Sequence, residues 1–373
     1  VEVLGIDLAR FVAATMVVMW HFAAKPWLDP QAATISPLMP GATAAIPPGA
    51  WVSAIGWVGV QIFFVISGAV IAFSAGRASN RRAFVISRFA RLWPAMVVCG
   101  AVCSVLSMVF WHTGVMRALA GFAGSLVLSP VGPWFSGQVW TLPVEVAFYA
   151  LVCVVGVGRR ARLEGLAWAL ALASGAYWMT QTLWPGVLSG VNPHLLAIML
   201  LPHGCYFALG IALARGHAEG SVRWALMAVS IGTAWLEISA RYGVELGRTP
   251  CHPGALVPYL AWLGAVLFII GSFAWAAPIH AAFARQSRIL RLMGAVTYPL
   301  YLAHYQVGGP VYAALITRGW SVWGAFVPAY ALAVAVALIL ARYVEAPMQR
   351  VVKTVLNRRR LGPEGQGIPA RFV

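Results

Sequence analysis

The chain has 373 residues, of which 61% are hydrophobic and 10% charged, with a mean hydropathy of +0.80. That is more apolar side chain than one water-soluble core can hide, so the protein is read as integral to a lipid bilayer. A net charge of +16 would suit nucleic acid in a soluble protein, but in a membrane protein basic residues collect in loops on one side and set orientation, so no nucleic-acid partner is expected.

Apolar runs of about 20 residues separated by short polar loops predict ten transmembrane helices in an all-α polytopic fold. The first covers 4–22. It is followed by a proline-rich outer segment, 25–50, which fits a plain loop or one wall of an acceptor entrance. Further spans are expected at 55–75 and 92–112. The stretch 115–133 holds Gly and Pro residues and suggests an interfacial or re-entrant piece. The remaining spans are 138–158, 166–184, 195–214, 222–239, 255–277, 293–316 and 322–343.

With the N-terminus cytoplasmic, the inner loops receive Arg77, Arg81, Arg82, Arg88, Arg91, Arg159, Arg160, Arg162, Arg215, Arg223, Arg285, Arg288 and Arg291. Arg342, Arg350, Lys353, Arg358, Arg359, Arg360 and Arg371 follow at the end. Lys25, Arg117, Arg241, Arg248 and Arg318 fall outside, and Arg10 lies within a span. This asymmetry predicts both termini in the cytoplasm and a multi-pass protein of the cytoplasmic (inner) membrane. Residues 1–356 are expected to form the transmembrane domain and 357–373 a disordered basic tail. No cleavable signal peptide is expected, because the first apolar segment is too long and lacks a small-residue cleavage pattern. Cys99, Cys103, Cys153 and Cys205 fall in spans and Cys251 in a loop; their spacing fits neither a disulfide framework nor a metal site, and no metal is implied. There is no phosphate-binding loop, dinucleotide fingerprint or nucleophile elbow.

The first span carries Asp7, Arg10 and His21. At ~100° per residue the three share one helix face, and Arg10 and His21 lie ~16 Å apart along the axis. An arginine facing lipid at mid-bilayer costs ~2.5 kcal/mol or more, so this face points into the protein. Asp7 reads first as a structural partner of Arg10. Arg10 and His21 together read as functional, with an interfacial imidazole beside Trp20 as the competing account.

Six segments, this one included, share a pattern. Arg10 and His21, with ten residues between, resemble the first-helix signature of the acyltransferase 3 family of membrane enzymes. "GWVGVQIFFVISGAVI" (56–71) resembles its second helix, "RFARLWPA" (88–95) its Arg-x-x-Arg motif, and "VWTLPVEVAFY" (139–149) its Trp-Thr-Leu-x-x-Glu stretch. "TYPLYLAHYQV" (297–307) is similar to its Tyr-x-Leu-Tyr-Leu-x-His segment, and "RYVEAPMQR" (342–350) to its closing Glu-x-Pro. In this chain Gln61 stands where many members have an acidic residue, and Ala303 and Gln306 replace the aromatic and proline that often flank the histidine corresponding to His304.

The resemblance implies transfer of an acyl group, usually acetyl, from cytoplasmic acyl-CoA to a hydroxyl of an extracytoplasmic surface polysaccharide, lipid-linked glycan or other acceptor, as in polysaccharide O-acetylation. Acyl-CoA is then a substrate, and no permanently bound cofactor is expected. Arg88 and Arg91, three residues apart, fit a pair of guanidinium forks for CoA phosphates, and equally fit orientation charges. Arg10 is a second candidate for the donor. His21 is assigned as general base; a transiently acylated histidine is the rival role. Glu145 either orients His21 or pairs with Arg10. Trp140, Tyr301 and His304 are further site candidates, with a hydrogen-bonded core residue as the alternative for His304. Ser67 and Gly68 fit close helix packing before a nucleophile. Glu345 and Pro347 are expected to end the tenth helix, with Glu345 beside an arginine. An alternative from another class is a transporter or flippase that uses Asp7, Arg10, His21 and Glu145 as a relay, although no inverted repeat accompanies it.

Overall fold

The computed structural model describes residues 3–29, 33–39, 47, 49–220, 223–246 and 254–358. Among them the protein is all-α with no strand. The helices are α1 (Leu4–Met19), α2 (Lys25–Leu28), α3 (Val58–Arg77), α4 (Arg81–Phe110), α5 (Val115–Leu126), α6 (Thr141–Val155), α7 (Arg160–Leu183) and α8 (Pro193–Ile198). They continue with α9 (Gly204–Glu219), α10 (Trp224–Glu245), α11 (Leu256–Ala274), α12 (Ala276–Ala282), α13 (Ser287–Thr317), α14 (Val322–Ile339) and α15 (Ala346–Arg358). Cys251 and most of the 357–373 tail lie outside the described residues, as does much of the outer segment 25–50.

Six stretches, Leu4–Leu28, Trp51–Arg77, Arg81–Phe110, Gly137–Val155, Leu256–Ala274 and Val322–Leu356, are long and apolar enough to cross a membrane. The protein is a multi-pass membrane protein. α7, α10 and α13, of 24, 22 and 31 residues, coincide with other expected runs and carry more polar groups, among them Glu237, Arg241 and His304. The run expected at 195–214 is divided into α8 and α9. Pro202 has no amide hydrogen with which to continue a helical ladder, and its carbonyl accepts instead from Trp178 Nε1 at 2.9 Å. At 115–133 the helix α5 has 12 residues, ~18 Å of length, too short to span a bilayer.

Three other boundaries differ from expectation. α4 begins at Arg81, where Asn80 Oδ1 accepts from the Ala83 amide at 2.9 Å, so Arg88 and Arg91 belong to a helix and not to a loop. α10 continues to Glu245, which places Arg241 on a helix, one turn from Glu237. Glu345 and Pro347 do not end the tenth helix: α14 passes through a π-helical turn, Leu340–Glu345, directly into α15.

A matching π turn, Trp20–Ala24, joins α1 to α2. Both turns precede a proline, Pro26 in one case and Pro347 in the other. A proline in a helix lacks the N–H and its ring collides with the carbonyl four residues back. The chain relieves the collision by widening, so Lys25 N–H donates to Trp20 O and Ala346 N–H to Ala341 O, each five residues back.

α1 packs against α3, α11 and α13, α3 against α9, and α13 against α14. The α3–α9 crossing is close because Gly68 and Gly210 meet there; a Cβ on Gly210 would collide with the Val65 carbonyl and with Gly68 itself. Gly294 of α13 faces Asp7, and Asp7, Arg10, Glu345 and Ala346 share one recess. The Val3 end of α1 and the start of α15 thus lie at the same end of the bundle.

Candidate active site

α1 delivers its ionisable residues to two places. Near its start Arg10 lies 4.0 Å from Asp7 and lines a small cavity between the helices. The other walls come from Phe63 and Ser67 of α3, Arg88 and Arg91 of α4, Thr141, Glu145 and Tyr149 of α6, and Tyr298 and Tyr301 of α13. The two α4 arginines, one turn apart at the start of a long helix, therefore face the same space as Arg10.

Glu145 Oε1 accepts from Ser67 Oγ at 2.8 Å and from Tyr149 Oη. Ser67 is thus committed to a carboxylate, while the close helix contact is made by Gly68. Glu145 faces the same cavity as Arg10, whereas Asp7 is the carboxylate within ion-pair distance of that guanidinium. Arg88 Nη2 donates to Ser87 Oγ at 3.0 Å, but its buried Nε has no partner among the described residues. A buried guanidinium N–H without an acceptor is costly, and an anionic ligand in this cavity would supply one.

Phe63 and Tyr301 stand side by side in the cavity wall, their rings edge to face at 5.9 Å. Tyr301 Oη shares a hydrogen bond with Thr141 Oγ1 at 2.8 Å and donates to Gln138 O at 2.9 Å. His304 is one turn further along α13, ~4.5 Å up the axis.

There His21, in the π turn after α1, meets His304. Its Nδ1 lies 2.8 Å from His304 Nε2. The rings are within 7° of coplanar with centroids 5.0 Å apart, the arrangement of an in-plane bond between ring nitrogens and not of a face-to-face stack. Tyr305 covers His21 with ring centroids at 4.4 Å. His304 is fully buried. The expected contact between Glu145 and His21 is not made: the side chain that meets His21 is an imidazole from α13, and Glu145 is held in the cavity by Ser67 and Tyr149.

Trp140 is also away from this cavity. Its ring stands 5.7 Å from that of His203 and 5.9 Å from the Arg241 guanidinium, which also lies over Trp57 at 5.8 Å. Arg241 Nη1 pairs with Glu237 at 3.4 Å, and Gln61 Nε2 donates to Glu237 at 3.2 Å. Tyr206 Oη donates to the same carboxylate. This second polar cluster was not anticipated. Its sequence signal is the Glu237/Arg241 spacing of four in an apolar helix, which the expected end of that span at 239 had split. Glu345, near Arg91, accepts from Gln349 Nε2 at 2.8 Å.

A family model described as an acyltransferase domain matches residues 3–342. Nodulation protein 10 of Rhizobium leguminosarum bv. viciae is 26% identical over 332 residues, covering 81% of this chain and 84% of that protein. No solved structure matches.

Proposed function

The chain belongs to the acyltransferase 3 family and is a membrane acyltransferase, and from that premise we propose that it transfers an acyl group, acetyl first among candidates, from cytoplasmic acyl-CoA to a hydroxyl of an extracytoplasmic glycan or glycoconjugate. Its place is the cytoplasmic (inner) membrane. The observation that carries this reading is the pairing of a cavity with three guanidinium groups, one with an unpartnered buried N–H, and an imidazole pair one helical turn beyond it.

In this reading Arg88, Arg91 and Arg10 hold the phosphates of the donor through charge-assisted hydrogen bonds. The thioester arm reaches past Phe63 and Tyr301 toward His21. His21 takes the proton of the acceptor hydroxyl as its oxygen attacks the thioester carbonyl. The tetrahedral intermediate then collapses, the C–S bond breaks, and the CoA sulfur leaves and recovers the proton from His21. Glu145 sets the charge of the cavity, balancing part of the arginine charge while Ser67 and Tyr149 fix its position. Asp7 positions Arg10.

Family membership favours this over a transport relay, and two measurements together separate the readings. Purified protein should bind acetyl-CoA and release CoA slowly by hydrolysis, which a transporter has no reason to do. Mass spectrometry of surface polysaccharide from cells with and without the protein should show a lost acyl mass. Absence of both acetyl-CoA binding and an acyl difference would remove the proposal.

A further inference from the structure

The proton positions on the two imidazoles follow from the surroundings of His304. Its Nδ1 lies 2.9 Å from Tyr301 O and 3.1 Å from Leu300 O. Carbonyl oxygens only accept, so Nδ1 carries the hydrogen; a bare nitrogen there would face their lone pairs. A second proton would place a cation in a fully buried ring with no carboxylate bonded to it among the described residues. Nε2 is therefore an acceptor, and the group 2.8 Å away, His21 Nδ1, must be the donor. The lone pair of His21 is left on its Nε2.

We propose that His304 is a positioning residue that holds His21 in the Nδ1–H tautomer and so presents Nε2 as the reactive nitrogen. A carboxylate in this position would fix the tautomer and add a charge; a neutral imidazole, itself fixed by two backbone carbonyls, does so without one. The other groups facing His21 do not compete for its Nδ1. Tyr305, on the same helix as His304, presents its ring. Lys25, on α2, carries only donors and pairs with Glu245 at 3.1 Å and Asp29 at 3.5 Å. The backbone carbonyls that orient His304 belong to the turn containing Tyr301, so a residue of the cavity wall and the tautomer of His21 are set by one stretch of α13.

The catalytic consequence rests on the acyl-transfer reading, whereas the tautomer itself does not, and the test uses that difference. The full chain, labelled with ¹⁵N-histidine and held in lipid nanodiscs, is measured by NMR, with His21 signals assigned by their loss in His21→Gln. The expected spectrum has a protonated Nδ1 and an unprotonated, imine-type Nε2 on His21. In His304→Leu the Nε2–H form should appear, and acyl transfer to the surface glycan should fall about tenfold or more with acetyl-CoA affinity unchanged. A protonated His21 Nε2 in the unaltered protein overturns the proposal, even if His304→Leu fails to fold. An unchanged His21 tautomer in a folded His304→Leu overturns it as well. Full transfer by His21→Gln alongside the expected wild-type spectrum would remove the base role and leave the tautomer lock standing.

Discussion

Removing the Arg88 guanidinium tests whether the three-arginine cavity holds the donor. Its Nε–H is buried and has no partner among the described residues, whereas Nη2 already holds Ser87 Oγ. An anion in the cavity gains this N–H once the Arg88 side chain turns toward it, and a hydrogen bond to a charged group contributes ~1.5–3 kcal/mol. At ~1.4 kcal/mol per factor of ten, Arg88→Ala should weaken acetyl-CoA binding roughly 10- to 100-fold. Arg88→Lys should fall between, because it keeps a charge and loses the planar fork. Abundance should stay near normal, since Glu145 keeps both of its donors, Ser67 and Tyr149. The assay is equilibrium binding of acetyl-CoA to the purified protein. Unchanged affinity in Arg88→Ala combined with Arg91→Ala would refute the reasoning and return both residues to orientation signals.

Pro26→Ala restores an N–H to the turn after His21 and should let the π turn relax toward an α turn, shifting His21; acyl transfer should drop about tenfold or more while acetyl-CoA binding holds. Gly210→Ala places a Cβ against the Val65 carbonyl, and should cost ~1–3 kcal/mol, read as a lower unfolding midpoint in detergent. Arg241→Ala removes an ion-pair partner from the buried Glu237 carboxylate, and should lower that midpoint further than Glu237→Gln, which removes the buried charge while keeping one acceptor oxygen. A cysteine at Ser79, in the turn between α3 and α4, should be labelled only from the cytoplasm and one at Ser36 only from outside; the reverse pattern would invert the side assigned to the donor.

The helical, membrane-spanning character was legible because it depends on apolar runs, which survive any detail of packing. Arg10, Arg88 and Arg91 were legible as a set through the family resemblance; as bare cations Arg88 and Arg91 fitted orientation charges equally well. Pairings across the bundle were not. His21 and His304 are 283 positions apart, and nothing local distinguishes His304 from Glu145 as the partner of His21. The same holds for Gln61, whose partner Glu237 lies on a helix with which it has no sequence relation. The π turns had a signal in Pro26 and Pro347, but it was read as a loop in one case and a helix end in the other. A proline two residues past such a turn can instead widen a helix and let it carry on.

The central claim is that the first helix serves a donor with Arg10 and an acceptor with His21, and paired measurements on His21→Gln test it most directly. Glutamine keeps hydrogen-bonding capacity and similar bulk but cannot act as a base near neutral pH, so acceptor acylation should fall by ~10² or more. Acetyl-CoA affinity, measured on the same purified protein, should stay at the wild-type value because the cavity arginines are untouched. Acylation at the normal rate in His21→Gln would contradict the account and leave the histidine as a half-buried neighbour of His304 with no part in the chemistry.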